Sequence, residues 1–490
     1  MSEHLLERPT FSCSDRVLAK TVVRPFQRFM HQEASGGIVL IIATIAALLW
    51  ANSGWSSAYR DLWHTHVAFG VGSWHIDMTL HHVVNDLLMA IFFFVVGLEI
   101  KRELVVGELR TIRAAGLPAM GAVGGMVVPA LFFFVLNSTG DGSTGWGIPM
   151  ATDIAFAVGV VALLGSRVSP RLKLFLLTLA IVDDIGAVAV IAIFYSDGLN
   201  FTWLGLAVVG IVLVNVMKKA QVWDITPYIV VGGFVWYATF ESGVHATIAG
   251  VVLGLSTPAK PLLSRVNQNV SIALGDDADA TQVRAAAWHV SETASVAERL
   301  QAFLHPYTSF VIVPLFALAN AGLVLNGEVM ADAAASSVTW GVAIGLVVGK
   351  PLGIGLFVWL AMKVLKWDLP KGIKWPEFVG MGLAAGIGFT VSLFVSELAW
   401  TAEGTEGLVD QAKIGVLMAS AVAAILAGVV LYIFADASDE DPLPDERPIL
   451  GRPEGSADPD GVHRQPEGDT HAQAEAVEPP AEQPQSLDTH

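Results

Sequence analysis

Apolar residues come along this chain in blocks rather than at regular intervals. The stretches 37–50 with its flanks, 119–136, 172–194, 341–358 and 416–434 are almost free of charge. Runs of about 18 residues or more are long enough for a helix to cross the hydrocarbon core of a bilayer. Taken together the blocks predict about twelve spans, near 36–52, 84–104, 118–136, 148–165, 172–195, 201–217, 226–241, 244–257, 307–325, 338–364, 376–399 and 411–434. The fold class that follows is an all-α polytopic membrane protein.

Charge between the blocks sets an expected orientation. Lys101, Arg102, Arg110 and Arg113 follow the second span, and Arg167, Arg171 and Lys173 separate the fourth from the fifth. Lys218 and Lys219 follow the sixth, Lys260, Arg265, Arg284 and Arg299 precede the ninth, and Lys363, Lys366, Lys371 and Lys374 join the tenth to the eleventh. The alternate connections carry little beyond Arg60 and Lys413. Excess Lys and Arg marks cytoplasmic loops, so both termini are expected in the cytoplasm, in agreement with an even number of spans.

Three regions follow from composition: a basic N-terminal extension (1–33), a transmembrane domain (34–435) with a cytoplasmic loop at 258–306, and a tail (436–490). The chain is 53% hydrophobic and 15% charged, with a net charge of -17 and a mean hydropathy of +0.58. Much of the negative charge sits in the Pro- and Glu-rich tail, which lacks the apolar residues to offset chain entropy and is expected to be disordered. The single cysteine, Cys13, excludes an internal disulfide and gives no metal or redox pair. No short apolar region with a small-residue cleavage site marks a signal peptide. Nothing matches a phosphate-binding loop, which argues against ATP as energy source, and nothing suggests a nucleic-acid partner or a cofactor.

Ionisable groups inside spans are costly and usually functional or paired. Asp153, Asp183, Asp184 and Lys350 lie midspan, with Asp86, Glu99 and His245 nearer the ends. Neighbours on a helix point about 100° apart, so one of Asp183 and Asp184 can line an aqueous cavity while the other turns to a partner helix. Lys350 is the obvious counter-charge. A structural salt bridge from Asp183 to Lys350 would account for that pair alone. It leaves Asp184 and Asp153 without a cation, and a buried unpaired carboxylate must hold a proton or take a cation. Two acids that choose between H⁺ and a small metal ion are the core of an exchanger.

Packing signals surround these acids. Gly341, Gly345, Gly349 and Gly353 recur every four residues, a ridge that lets another helix backbone approach closely and could bring Lys350 within reach of the fifth span. "GWGIPMATDIAFAVG" and "GMGLAAGIGFTVSLF" carry helix breaks in corresponding places of the two chain halves, a pointer to a transporter site. The stretch 64–82 alternates apolar and polar residues around Gly70 and Gly72, predicting a short β-hairpin. Its histidines, His64, His66, His75, His81 and His82, read more readily as loop residues than as a metal site.

The motifs "FFFVVGLEIKREL", "GWGIPMATDIAFAVGVVALLGSR", "LAIVDDIGA", "SGVHATIAGV", "FALANAG", "GKPLGI" and "GIGFTVSLF" closely resemble the NhaA-type bacterial Na⁺/H⁺ antiporter family, from about residue 35 to about 434. The resemblance implies inverted repeats, spans three to five and ten to twelve, with two broken helices crossing near the site. It implies ion and proton binding by Asp183 and Asp184, with Asp153, Thr152 and Lys350 in support, and electrogenic exchange of cytoplasmic Na⁺ or Li⁺ for external H⁺ by alternating access. Glu99, Arg102, Glu103 and His245 match positions linked to pH activation on the cytoplasmic side, although charges at span ends commonly just anchor helices in the headgroups. Asp86 matches an acid in the outward path. The hairpin at 64–82 matches a homodimer contact, and the location implied is the bacterial plasma (inner) membrane. One departure is visible: Gln301 stands where the family has an acid before the His305–Pro306 pair, with Glu298 close by.

Two other readings remain open from the residues themselves. A cation-coupled symporter would need a roomier midplane pocket with recognition groups, whereas the spans beside the acids offer mainly Ala, Gly, Ile and Val. An intramembrane aspartyl protease would need two facing carboxylates, which adjacent acids cannot supply unless Asp153 is the partner.

Overall fold

In the computed structural model the described residues run from 35 to 435, except 72–73, 197, 221, 223–224, 261–293, 370–371 and 402–403. The expected N-terminal extension, most of the 258–306 loop and the acidic tail lie outside them. The helices are α1 (Ser35–Ala51), α2 (Ser56–His64), α3 (Leu80–Val105, with a π-turn at Val83–Leu88), α4 (Ile112–Leu136), α5 (Ile154–Leu163), α6 (Pro170–Phe194), α7 (Phe201–Lys219) and α8 (Ile225–Glu241). They continue with α9 (Ala246–Ser256), α10 (Val296–Asn320), α11 (Gly327–Ala335), α12 (Ser337–Val364), α13 (Trp375–Ala385), α14 (Phe389–Ala399) and α15 (Glu406–Phe434). Among the described residues the strands are β1 (His66–Val71) and β2 (Trp74–Thr79), antiparallel with His66 opposite Thr79, which is the predicted hairpin.

Each of the twelve expected spans has a helical counterpart, but they are not equally long. Among the described residues seven helices are unbroken and apolar enough to cross a membrane, and up to ten spans result if each bent pair is one span. Two of those pairs, the tight turn Asp141–Met150 with α5 and α13 with α14, bend by 45° each at a short break. These are the two interruptions read from the sequence. The third, α1 with α2, turns by 113°, so α2 lies across the end of α1. The spans expected at 226–241 and 244–257 are the shorter helices α8 and α9.

Capping residues explain several boundaries. Ser169 accepts from the Leu172 amide ahead of Pro170 at the first turn of α6, and Asn200 accepts from Thr202 and Trp203 at the start of α7; both satisfy amides that a helix N-terminus leaves free. The ninth span starts earlier than expected. Ser295 and Glu298 form a capping box at the start of α10, and its polar first turns extend the helix eleven residues before 307. Glu298 is thereby committed to the cap, bonding the Ser295 amide at 2.9 Å.

The helices pack in two groups. α4, α5, α6, α12, α13, α14 and α15 form one, in which α4 lies on α6 and α12, and α15 lies on α12 and α13. In the other, α1 packs on α10, α3 on α9 and α10, and α7 on α8. The groups meet mainly along α1 with α5, α3 with α6, and α10 with α14. The glycine ridge of α12 faces α4 rather than the fifth span. A Cβ on Gly353 would run into the Gly124 carbonyl, and one on Gly349 would come within 3.0 Å of Pro129. The ridge therefore sets the α4–α12 distance, and the long Lys350 side chain covers the remaining gap to α6.

This packing makes a stability prediction. Gly353→Leu forces backbone apart from backbone and should cost about 3 kcal/mol or more, since overpacking with no flexible neighbour to yield is expensive. Gly205→Leu, which meets nothing within 4 Å, should leave thermal unfolding close to the parent; equal melting of the two variants would contradict the assignment of the contact.

Candidate ion-binding site

Where the two broken spans touch, irregular backbone has to be satisfied in the interior of the molecule. The Asp153 amide donates to the Ile387 carbonyl at 2.7 Å, joining one break to the other. Asp153 is also the N-cap of α5: its Oδ1 accepts from the Phe156 amide at 3.0 Å. Its Oδ2 accepts from the Thr390 amide at 3.1 Å and the Thr390 hydroxyl at 2.6 Å. One carboxylate thus serves the amide-rich starts of α5 and α14, where helix dipoles favour negative charge.

Thr152 is fully buried beside it. Its hydroxyl lies 2.7 Å from Asp183 Oδ2 and 2.9 Å from the Ala385 carbonyl, and its single proton can serve one of these acceptors at a time. Lys350 donates to the same Asp183 Oδ2 at 2.7 Å, with both side chains fully buried, and to the Met150 carbonyl at the end of the tight turn. The lysine ties α12 to α6 and to the first break in one step. Asp183 Oδ2 therefore has two donors, whereas Asp183 Oδ1 has no partner among the described residues.

Asp184, next along α6, is buried at 6% exposure, and its Oδ1 is likewise without a partner. Its electrostatic neighbours are Asp183, Glu99, Asp153 and Lys350, three of them acids. The neighbourhood is net negative, so a proton or a small cation is what would relieve it. The two unpartnered oxygens belong to adjacent residues of α6.

The remaining sequence candidates fall in three places. Glu99, near the far end of α3, accepts from the Gln301 amide at 3.0 Å, and the Gln301 carbonyl lies 3.5 Å from Arg102 Nη1. Gln301 bridges the two, while Glu298 is held in its cap. Glu103 is half-buried one turn on from Glu99. His245 does not join them: it bonds the carbonyl of Tyr195 at the C-terminal end of α6, the opposite end of the molecule from Glu99. The structure separates His245 from the face that carries Glu99, contrary to the expected grouping. Asp86 lies in the π-turn at the start of α3, toward the His245 side, where its carbonyl accepts from Trp236 at 3.1 Å. Of the loop histidines, His66 pairs with Asp77 at 2.9 Å and His82 with Thr79 at 2.8 Å. Among the described residues no group of three His, Cys, Asp or Glu could hold a metal.

Sequence reading missed one partly buried ion pair. Lys413, at 8% exposure in α15, bonds the Glu397 carboxylate of α14. Lys413 stands eight residues inside its helix, which was the available signal.

The family of proteins described as Na⁺/H⁺ antiporter 1 matches residues 27–431. The chain belongs to that family. It is 46% identical over 424 residues to the Na⁺/H⁺ antiporter NhaA 3 of Frankia alni, covering 86% of this chain and 91% of the relative. The Na⁺/H⁺ antiporter NhaA of Rhodopirellula baltica is 46% identical over 425 residues, covering 84% and 94%, and that of Helicobacter pylori 41% over 433 residues, covering 84% and 95%. Membership of the Na⁺/H⁺ antiporter 1 family and the long apolar helices together make this a multi-pass protein of the bacterial membrane, a transporter rather than an enzyme.

The pairing predicts an asymmetry between variants. Lys350→Ala strands a buried Asp183 carboxylate and should lower stability by roughly 3–5 kcal/mol. Adding Asp183→Asn should recover most of that loss, because the Asp183 carboxylate that the lysine neutralised is then gone. Thermal unfolding of the two variants checks this, and additive losses would refute the pairing as the source of the effect.

Proposed function

We propose that the chain exchanges Na⁺ or Li⁺ for H⁺ across the bacterial plasma (inner) membrane, at one site formed by Asp183 and Asp184. The observation that carries the reading is the pair of buried, unpartnered oxygens, Asp183 Oδ1 and Asp184 Oδ1. The nearby polar side chains Thr152, Asp153 and Thr390 are engaged. Carboxylate oxygens suit a hard monovalent cation, and both acids with one lysine between them leave a charge that either ion can balance. Sodium arriving at the site displaces protons, and protons arriving displace sodium. Moving more protons inward than sodium outward makes the cycle electrogenic and lets the inward proton gradient drive sodium export.

The face carrying Lys101, Arg102, Arg167, Arg171 and Lys218 is the cytoplasmic one by the charge rule. Glu99 then stands between the cytoplasm and Asp184, and Asp86 near the outer end of the exit path. In this scheme Glu99, Arg102 and Glu103 modulate access with pH from the inside, and His245 from the outside. The hairpin stretch 64–82 is the contact for a second copy of the chain. No resident cofactor enters this scheme.

Competing chemistries fare worse against the geometry. Thr152, Asp183 and Lys350 are fully buried in close packing, which suits an ion and not an organic solute. Asp153 spends both oxygens on the starts of α5 and α14, so it is not the facing partner that a protease dyad requires.

Purified protein in liposomes with an imposed pH gradient and a pH-sensitive dye tests the reading. Na⁺ and Li⁺ should collapse the gradient with the parent protein, and Asp184→Asn should abolish the response. Unchanged exchange in that variant would overturn the site.

A further inference from the structure

The partly buried Lys413–Glu397 pair has no place in the exchange site, yet its carboxylate lies on a helix that leads straight from it. On α14, Thr390, Phe394 and Glu397 are spaced i, i+4 and i+7 and so share one face. Thr390 holds Asp153. One turn further, the Phe394 ring meets Phe93 of α3 at 5.5 Å and Phe316 of α10 at 6.2 Å between centroids. Phe93 also lines one small cavity with Val188 and Ile191, one to two turns beyond Asp184 on α6. The three rings therefore close an apolar layer between the acid pair and the His245 side.

Beyond that layer the same three helices become polar. From α3 come His81 and Asn85, from α10 Asn320, and from α14 Glu397. Asn320 and Asn85 exchange amide hydrogen bonds at 2.8 and 3.3 Å. His81 Nε2 lies 3.1 Å from the Asn320 carbonyl oxygen and 4.0 Å from Glu397 Oε1. Lys413 of α15 bonds the same Glu397 oxygen. α14 and α15 belong to one helix group, α3 and α10 to the other. The Lys413–Glu397 pair is thus internal to one group, and His81 with Asn320 presents the facing surface of the other.

We propose that Glu397, fixed by Lys413, docks against His81 and Asn320 as the outer seal of the transporter, holding the two helix groups together on that side while the acid pair faces the cytoplasm. Glu397 is a positioning residue: it touches no transported ion at the central site and acts on which way that site faces. The lysine is needed because its loss would leave the partly buried Glu397 carboxylate without its cation. The three-phenylalanine layer excludes water, and the polar layer supplies directional contact that registers the two groups. Outward opening separates both layers together, since Phe394 and Glu397 ride on one helix. The inference rests on the exchange reading above.

Breaking the seal should populate the outward-facing state at the expense of the inward one. Apparent affinity falls with the fraction of protein in the competent state. The test measures half-maximal Na⁺ for collapse of an imposed pH gradient in everted and in right-side-out membrane vesicles, using His81→Leu and the double variant Glu397→Gln/Lys413→Met. The double variant leaves no charge unpaired, so its thermal unfolding should stay near the parent. Both variants should raise half-maximal Na⁺ about threefold or more in everted vesicles, with no rise in right-side-out vesicles. All three substitutions combined should add little to either, because they break one contact. An unchanged ratio between the two vesicle types in both variants would overturn the seal, leaving the pair a structural tie between α14 and α15. Absence of any Na⁺ response in the parent would instead count against the exchange reading itself.

Discussion

A carboxylate taken out of water has to be neutralised by a proton, a cation or several hydrogen-bond donors, and each of the three buried acids at the centre of this protein meets that demand differently. Asp153 has donors: two backbone amides and a hydroxyl. Asp183 has a lysine and shares a hydroxyl, both directed at one of its oxygens. Asp184 stands beside other acids with its Oδ1 unpartnered. The remaining demand can be met by H⁺ or by a small metal ion, and a site that accepts either one is what exchange requires.

The surrounding architecture serves that imbalance. Breaking two spans supplies helix starts for Asp153 to cap and a carbonyl, from Met150, for Lys350 to bond. The approach of α4 to α12 at Gly124 and Gly353 brings the lysine close enough to reach α6. Irregular backbone at this depth is tolerated because it is enclosed by protein and its polar groups are paired across the crossing. Within each helix group the packing is more extensive than between the groups.

Much of this was legible in the sequence because membrane burial writes itself as long apolar runs, against which a single charge stands out. Asp183, Asp184, Asp153 and Lys350 were visible for that reason, and so were both helix breaks, through their glycines and Pro149. Distant partners were not. That Asp153 holds Thr390, or that the glycine ridge of α12 meets α4 and not α6, depends on tertiary placement that local pattern does not encode. Lys413 falls inside the expected span 411–434 yet counts there among the charges of a connection; Glu397, on another helix, gives it a reason to be buried. The early start of α10 was written in the Ser295–Glu298 capping box, but a span judged by hydropathy alone begins at the first apolar run. His245 shows the converse: a resemblance suggested its company, and the direction of α6 places it at the other end.

Proton release on sodium binding addresses the shared site most directly. The purified protein in weakly buffered detergent solution, with a pH-indicator dye, would be titrated with Na⁺ near the pH at which the site is partly protonated. Competition for the same oxygens predicts that each Na⁺ bound expels at least about one proton, that apparent Na⁺ affinity weakens as the solution is acidified, and that Asp184→Asn removes the release. Sodium binding without proton release, at an affinity indifferent to pH, would contradict the account.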